Sequence, residues 1–464
     1  MASEKFRYQL RQEAQQWQAE GIISPEVYQQ LADRYQLQEL DSASRDRFII
    51  IVLGLGFILL GLGVITFVAA NWQVWSRPIK VLLLLGLLIG TNSGGFYLWR
   101  SANQRQSRLG QGLLLLGALT FGANLGLMSQ MFHQTGAVYT LFFIWGLGVW
   151  TMAYGLRLTS LGLMAIILMA IAYWLGIYQD ILWNSAWNSG DWGLALQQIS
   201  LIVALLFIPL AYNCRSSWIF GLSWFLAVVA LTTNLARYLE VADLTTKSFL
   251  PAFLYILPPA LLWSYGDRLF PNRNDLHFAR ITRKLAVFYL ASAFYFCSFN
   301  FWSDGFNAVK SGKIIDFAPW SLLIAPVIFT LISIWGWWQL GVRRTSNLPW
   351  RLDRYSTYVG ATLVLLFGLL WFNFAVTPLG SAGTIIFNLL LLSLAIMLIS
   401  QSIREGQRFN FWLGILLLIL QIFSRMFEYN TDLILKAIAL VACGVAAILA
   451  GLWFERYLQQ FSIE

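Results

Sequence analysis

The sequence predicts an all-α fold: a polytopic integral membrane helical bundle of about 14 transmembrane helices, N-in and C-in, with a small N-terminal cytoplasmic helical hairpin. Three observations predict it. Only 11% of the 464 residues are charged and 58% are hydrophobic, whereas soluble domains carry about a quarter charged residues. The apolar residues come in runs of about 20, the length that crosses ~30 Å of hydrocarbon. The basic residues gather in alternate loops, as the positive-inside rule requires. A barrel is excluded, because runs such as FIIIVLGLGFILLGLGVITFVAA (Phe48–Ala70) do not alternate between apolar and polar.

The spans begin near Phe48, Ile79, Leu109, Val138, Leu158, Ala195, Ser217, Phe249, Lys284, Phe317, Tyr355, Gly380, Asn410 and Asp432. The fourth and fifth are parted only by the Gly155–Arg157 region, and the eighth is short and broken by prolines, so 12 or 13 spans remain open. With the N-terminus in the cytoplasm, 23 of the 31 Lys and Arg and 14 of the 22 Asp and Glu fall inside. The whole net charge of +9 then sits on the cytoplasmic face. The high pI is therefore a topology signal, and no nucleic-acid partner is expected. Trp72, Trp75, Trp99, Trp183, Trp187, Trp302, Trp350 and Trp453 fall near the expected interfaces, where an indole keeps its ring in apolar surroundings and its N–H near water.

This organisation divides the chain into a cytoplasmic hairpin (1–47), five spans (48–177), an outer loop (178–194) and the remaining spans (195–464). In the hairpin, Leu10, Ala14 and Trp17 share one helical face, and Val27, Leu31 and Tyr35 repeat every fourth residue. Gly21 ends the first helix, Ser24 caps the second and Pro25 takes its first position. Two short helices are marginal alone, so residues 1–40 are expected to dock on the protein's own loops, on a second copy or on a protein partner. The lipid bilayer is the partner of everything else.

The hairpin leads into GFILLGLGVITFVAANW (Gly56–Trp72), and GLMSQMFHQTGAVYTLFFIWGL (Gly126–Leu147) follows. The AANW segment (Ala69–Trp72) and the SQMFH segment (Ser129–His133) are the most specific parts. Together these resemble the bacterial membrane proteins of the DUF2157 family, a domain of unknown function. The resemblance covers about the first third of the chain. It implies an integral membrane protein and brings no activity, cofactor or catalytic residue with it.

Charged and polar residues inside spans are costly and mark candidate sites. Arg425 and Glu428 are spaced i, i+3, and Asp432 and Lys436 i, i+4 across the turn of the last hairpin, so each pair is expected to neutralise itself. A charge-balanced hairpin is one reading; an outer vestibule for an anionic headgroup or substrate is the other. Asn124, Gln130 and His133 form a polar line toward the outer end of the third span, read either as the border of a hydrated path or as hydrogen bonds to neighbouring helices. Gly86, Gly90 and Gly94 in the second span, with Gly122 and Gly126 in the third, recur every four residues and are expected to bring helices close. Pro258 and Pro259 should kink the eighth span. The outer loop carries Trp183, Trp187, Trp192, Asp180 and Asp191 and is expected to lie on the bilayer.

Chemistry is harder to find. The two histidines, His133 and His277, are assigned to opposite faces, and Cys214, Cys297 and Cys443 are scattered, so no metal site or disulfide framework is expected. HExxH, GxSxG and P-loop motifs are absent; GFNAVKSGK (Gly305–Lys313) has its glycines wrongly spaced. The expectation is no enzyme, no cofactor, and a multi-pass protein of a bacterial-type plasma or internal membrane. Its function is read as a membrane scaffold, assembly or stress-related factor, with a transporter or flippase of an amphipathic or anionic substrate as the alternative.

Overall fold

A computed structural model describes residues 4–35, 59, 66, 74–133, 136–178, 193–241, 250–267, 278–299, 320–342, 352–377, 379–429 and 432–461. Most of the first expected span, the AANW segment, most of the tryptophan-rich outer loop, GFNAVKSGK and His277 lie outside the described residues. Among the described residues 89% are helical and no strand occurs. Two compact units divide the chain, Met1–Leu87 and Leu88–Glu464.

In the first unit, α1 (Glu4–Ala19) and α2 (Pro25–Arg34) form the expected hairpin. Gly21 adopts φ +72°, which a glycine tolerates without strain. The Ser24 hydroxyl accepts from the Val27 N–H at 3.4 Å, opening α2 one residue before Pro25. Ala14 and Ala32 are buried, while Ile22 and Val27 are exposed.

The second unit takes in the end of α3 (Arg77–Trp99) and then α4 (Gln104–Met131), α5 (Val138–Leu156), α6 (Thr159–Tyr178) and the short α7 (Gly193–Gln197). Next come α8 (Ile199–Cys214), α9 (Ser217–Val241), α10 (Leu250–Ser264) and α11 (Ala279–Cys297). A 3-10 turn (Trp320–Leu323) leads into α12 (Ile324–Val342), followed by α13 (Arg354–Ala375), α14 (Gly380–Glu405), α15 (Arg408–Glu428) and α16 (Leu433–Phe461). Among the described residues ten helices are long and apolar enough to cross a membrane. The apolar α8 and α10 are shorter, and α11 opens with Arg280, Arg283 and Lys284, too many charges for an uninterrupted apolar span.

Sequential hairpins pack most extensively: α5 on α6, α8 on α9, α14 on α15. At the centre, α10 packs against α9, α11, α12 and α13. Burial falls away from there. In α9, 61% of the apolar window is buried within the protein; in α16, none is.

Bare backbone sets the closest approach of α3 and α4. A Cβ on Gly110 would lie 2.1 Å from the Trp99 nitrogen, and one on Gly95 2.9 Å from the Leu114 nitrogen. At Gly117 the intruder is the Asn92 carboxamide, 2.5 Å from the Cβ position. The seam thus turns on Gly95, Gly110 and Gly117. Gly86 and Gly90, singled out by their spacing, face open space among the described residues. Gly94 meets Leu113 at 3.4 Å.

Pro258 and Pro259 sit inside α10 and remove the helical donors for the carbonyls of Leu254 and Tyr255. The Tyr289 hydroxyl of α11 donates to the Leu254 carbonyl at 2.7 Å. Tryptophans join helices in the same way. The indole N–H of Trp145 donates to the Ala118 carbonyl at 2.8 Å, Trp150 to Leu206 at 3.1 Å and Trp337 to Ala260 at 3.0 Å.

Replacing Gly110 by alanine is expected to force α3 and α4 apart. An overpacking cost of about 1–3 kcal/mol follows, read as a lower thermal unfolding midpoint in detergent. Gly112→Ala, where a Cβ meets nothing within 4 Å, is expected to leave the midpoint in place.

Candidate functional site

The expected charge cluster forms at the α15 end of the last hairpin. Arg425 lies in the final turn of α15, where a cation is favoured by the helix dipole. One Nη1 proton goes to the Glu428 carboxylate one turn on; the same nitrogen donates to the Ser298 carbonyl at 2.7 Å. Nη2 lies 3.4 Å from the Ser298 hydroxyl. The guanidinium also covers the Phe299 ring, with Cζ 4.1 Å from its centroid. Ser298 is the C-cap of α11, so Arg425 satisfies a carbonyl that the end of that helix leaves without a helical donor.

A second layer ties the same point to α14. Asn388 donates to the Ser298 carbonyl at 3.1 Å and to Thr384 of its own helix at 2.8 Å. Gln421 of α15 donates to the Asn388 backbone carbonyl at 2.9 Å and to its side-chain oxygen at 3.1 Å. Three helices are therefore stapled through one carbonyl. The Arg425 and Glu428 side chains are only 16% and 17% exposed. The guanidinium's one nitrogen without a partner, Nε, is buried. The guanidinium is thus engaged by groups of its own chain.

The second expected pair does not form. Lys436 places its ammonium 5.1 Å from the centroid of the Phe427 ring, and no ion pair joins it to Asp432 among the described residues. Asp432 is exposed, just ahead of α16. An exposed i, i+4 pair there gains only ~0.3–0.5 kcal/mol, while the aromatic face is close at hand.

The polar line on α4 is a separate set. Asn124 is buried and donates to the Thr120 carbonyl at 2.8 Å, with its own side-chain oxygen unpaired. Thr120 in turn donates to Gly117 at 2.9 Å and lies 3.4 Å from the Thr91 hydroxyl. Gln130 closes α4 through its backbone carbonyl, which the His133 N–H reaches at 3.3 Å. His133 is exposed, with φ +49° and its Nδ1 3.1 Å from the same carbonyl. Since α4 packs chiefly on α5 and α6, and α15 on α14 and α16, the seven expected residues fall into two sets. Gly122 carries the Trp145 ring, which would lie 2.2 Å from a Cβ, and Gly126 meets Leu141 at an ordinary 3.7 Å.

Two polar networks escaped the sequence. Tyr173 of α6 donates to Asn234 of α9 at 2.8 Å; Asn234 donates to the Gln197 carbonyl at 2.7 Å; Ser321 donates to the Gln197 side chain at 2.7 Å. Near the other end of α9, Tyr212 donates to Asp267 at 2.5 Å and lies 3.0 Å from the Tyr265 hydroxyl. Asp267 also accepts from the first N–H of α11, that of Ala279, at 3.2 Å. Burial pushes the Tyr265 phenol above its ordinary value, its bond with Tyr212 pulls the other way, and the Asp267 charge adds to the rise. The available signal was a lone Asn234 within an apolar run and an aspartate 12 residues ahead of a helix start.

Among the described residues no group of three His, Cys, Asp or Glu is placed to hold a metal ion. The chemistry on offer is hydrogen bonding between helices. No curated protein and no solved structure matches the chain. Residues 15–162, from within α1 to the first turn of α6, match the family model DUF2157, described as a predicted membrane protein.

Proposed function

We propose that this chain is a non-catalytic membrane scaffold or assembly factor of the stress-related kind, with 14 spans, both termini in the cytoplasm of a bacterial-type cell, and a partner-binding hairpin at residues 1–40. One observation carries the reading. The embedded charge most able to meet a substrate, Arg425, is engaged by Ser298, Glu428 and Phe299 of its own chain. Helix-to-helix tethering is what its polar groups are arranged to do. The α1–α2 hairpin adds an exposed Ile22 and Val27, apolar surface that a protein partner or a second copy would cover.

The remaining four spans would be the run from Phe48, the shorter α8 and α10, and α11, whose basic first turns suit a cytoplasmic interface. A transporter or flippase is the second reading, supported by the two prolines inside α10 at the centre of the packing.

Arg425→Gln is expected to lower thermal stability by about 2 kcal/mol, the scale of a hydrogen bond to a charged group. The double change Arg425→Met with Glu428→Leu should recover most of that loss, because it leaves no unpaired buried charge. A vestibule arginine would behave otherwise: stability would hold while a transport or lipid-movement readout fell. Deleting residues 1–40 is expected to abolish recovery of a crosslinked partner at unchanged membrane abundance; equal recovery would argue against the scaffold. Cysteine labelling should find positions 20, 103 and 406 on one face and 178 and 429 on the other.

A further inference from the structure

A groove of about 430 Å³ runs between α10 and α12 beside the double proline. Its walls are two facing seams, Phe253, Ile256, Leu257 and Ala260 on α10, and Ser333, Ile334, Trp337 and Trp338 among others on α12. Ile334 and Trp338 are largely exposed, so the groove opens toward the hydrocarbon. Its polar groups are nearly all committed. The Thr330 hydroxyl donates to the Pro326 carbonyl at 2.7 Å, and the Trp337 indole to Ala260 at 3.0 Å.

Ser333 differs. It is 5% exposed and forms no hydrogen bond among the described residues. Buried hydroxyls elsewhere in these helices turn back on a carbonyl three or four residues earlier, as in Ser223, Ser264, Thr282, Thr362 and Ser402. Among the described residues Ser200 is also buried without a partner, but it does not line this groove. Ser333 therefore offers a free donor in an otherwise apolar, aromatic-walled slot.

Depth decides what suits it. The α12 span runs from Ser321 to Gly341, which puts Ser333 at least ~12 Å from either end at 1.5 Å per residue. A phospholipid keeps its ester and phosphate groups near the interface, beyond reach of this hydroxyl. Water needs two to four polar partners and finds one. What fits is a neutral lipid that carries an acceptor oxygen within the hydrocarbon layer and a flat face for Trp337, Trp338 and Phe253. We propose that the α10–α12 groove binds an isoprenoid-quinone type of lipid, with a ring carbonyl accepting a hydrogen bond from Ser333. This binding site is independent of the scaffold reading.

The test uses the full chain in detergent, titrated with a short-tailed benzoquinone and followed by quenching of tryptophan fluorescence. Saturable one-to-one quenching is expected. Ser333→Ala should weaken it about fivefold, the scale of one neutral hydrogen bond, with an unchanged unfolding midpoint. Ser333→Leu, which fills the slot, should abolish it. Mass spectrometry of lipids retained through purification should find quinone on the native chain and less on Ser333→Ala, a readout that stands even if the leucine variant does not fold. Non-saturable quenching, equal in all three proteins, would mean partition into the micelle and overturn the proposal. Retention of phospholipid alone, or equal affinity of native chain and Ser333→Ala, would do the same.

Discussion

Inside a bilayer a polar atom has no water to turn to, so it must find its partner in protein. That constraint shapes the contacts in this molecule. Each spanning helix satisfies its own backbone, and the exceptions are where helices meet. Prolines at 258 and 259 strip donors from α10, and the Tyr289 hydroxyl reaches the freed Leu254 carbonyl. The end of α11 leaves a carbonyl without a helical donor, and Arg425 and Asn388 both turn to it. Tryptophan N–H groups at 145, 150 and 337 seek carbonyls on neighbouring helices. Hydrophobic burial separates helices little from lipid, because lipid tails are equally apolar; these directed bonds and close packing select one arrangement.

Packing follows the same logic. Glycine at 95, 110 and 117 lets α3 and α4 approach to backbone contact, where dispersion is strongest and an Asn92 side chain can be enclosed. Further along the chain, aromatic rings occupy the space that absent side chains provide, as Trp145 does at Gly122 and Phe121 at Gly148. In the α8–α11 region, Phe220 and Phe278 stack with centroids 4.7 Å apart beside Tyr212 and Tyr265.

Much of the architecture was legible because it is written locally. Apolar runs and the Gly21-Ser24-Pro25 punctuation each act over a few residues, and the described helices and hairpin appear where they point. The Arg425–Glu428 pair was legible for the same reason, being one turn apart. Its anchor was not: Ser298 lies 127 residues away, and nothing in either neighbourhood names the other. The Tyr173–Asn234 bond spans 61 residues and was equally hidden. Spacing misdirected attention in two places. Gly86 and Gly90 match the small-residue rhythm yet meet open space among the described residues, while 95, 110 and 117, where backbone or Asn92 comes closest, do not stand out by rhythm alone. Asp432 and Lys436 have favourable i, i+4 order, but the ammonium lies over the aromatic face of Phe427 and pairs with no carboxylate among the described residues.

The final helix differs from the others. None of the α16 apolar window is buried, and its fastenings to α15 lie toward its two extremities. Phe454 stacks on Phe411 at 4.1 Å and Glu455 meets Arg408 at 2.8 Å at one end, with Lys436 over Phe427 at the other. Such a helix resembles a strut pinned at both tips and surrounded by lipid between them. Its position is therefore set by bilayer thickness as much as by protein. A thicker or thinner membrane strains those two pins first, before the interior of the bundle registers any change.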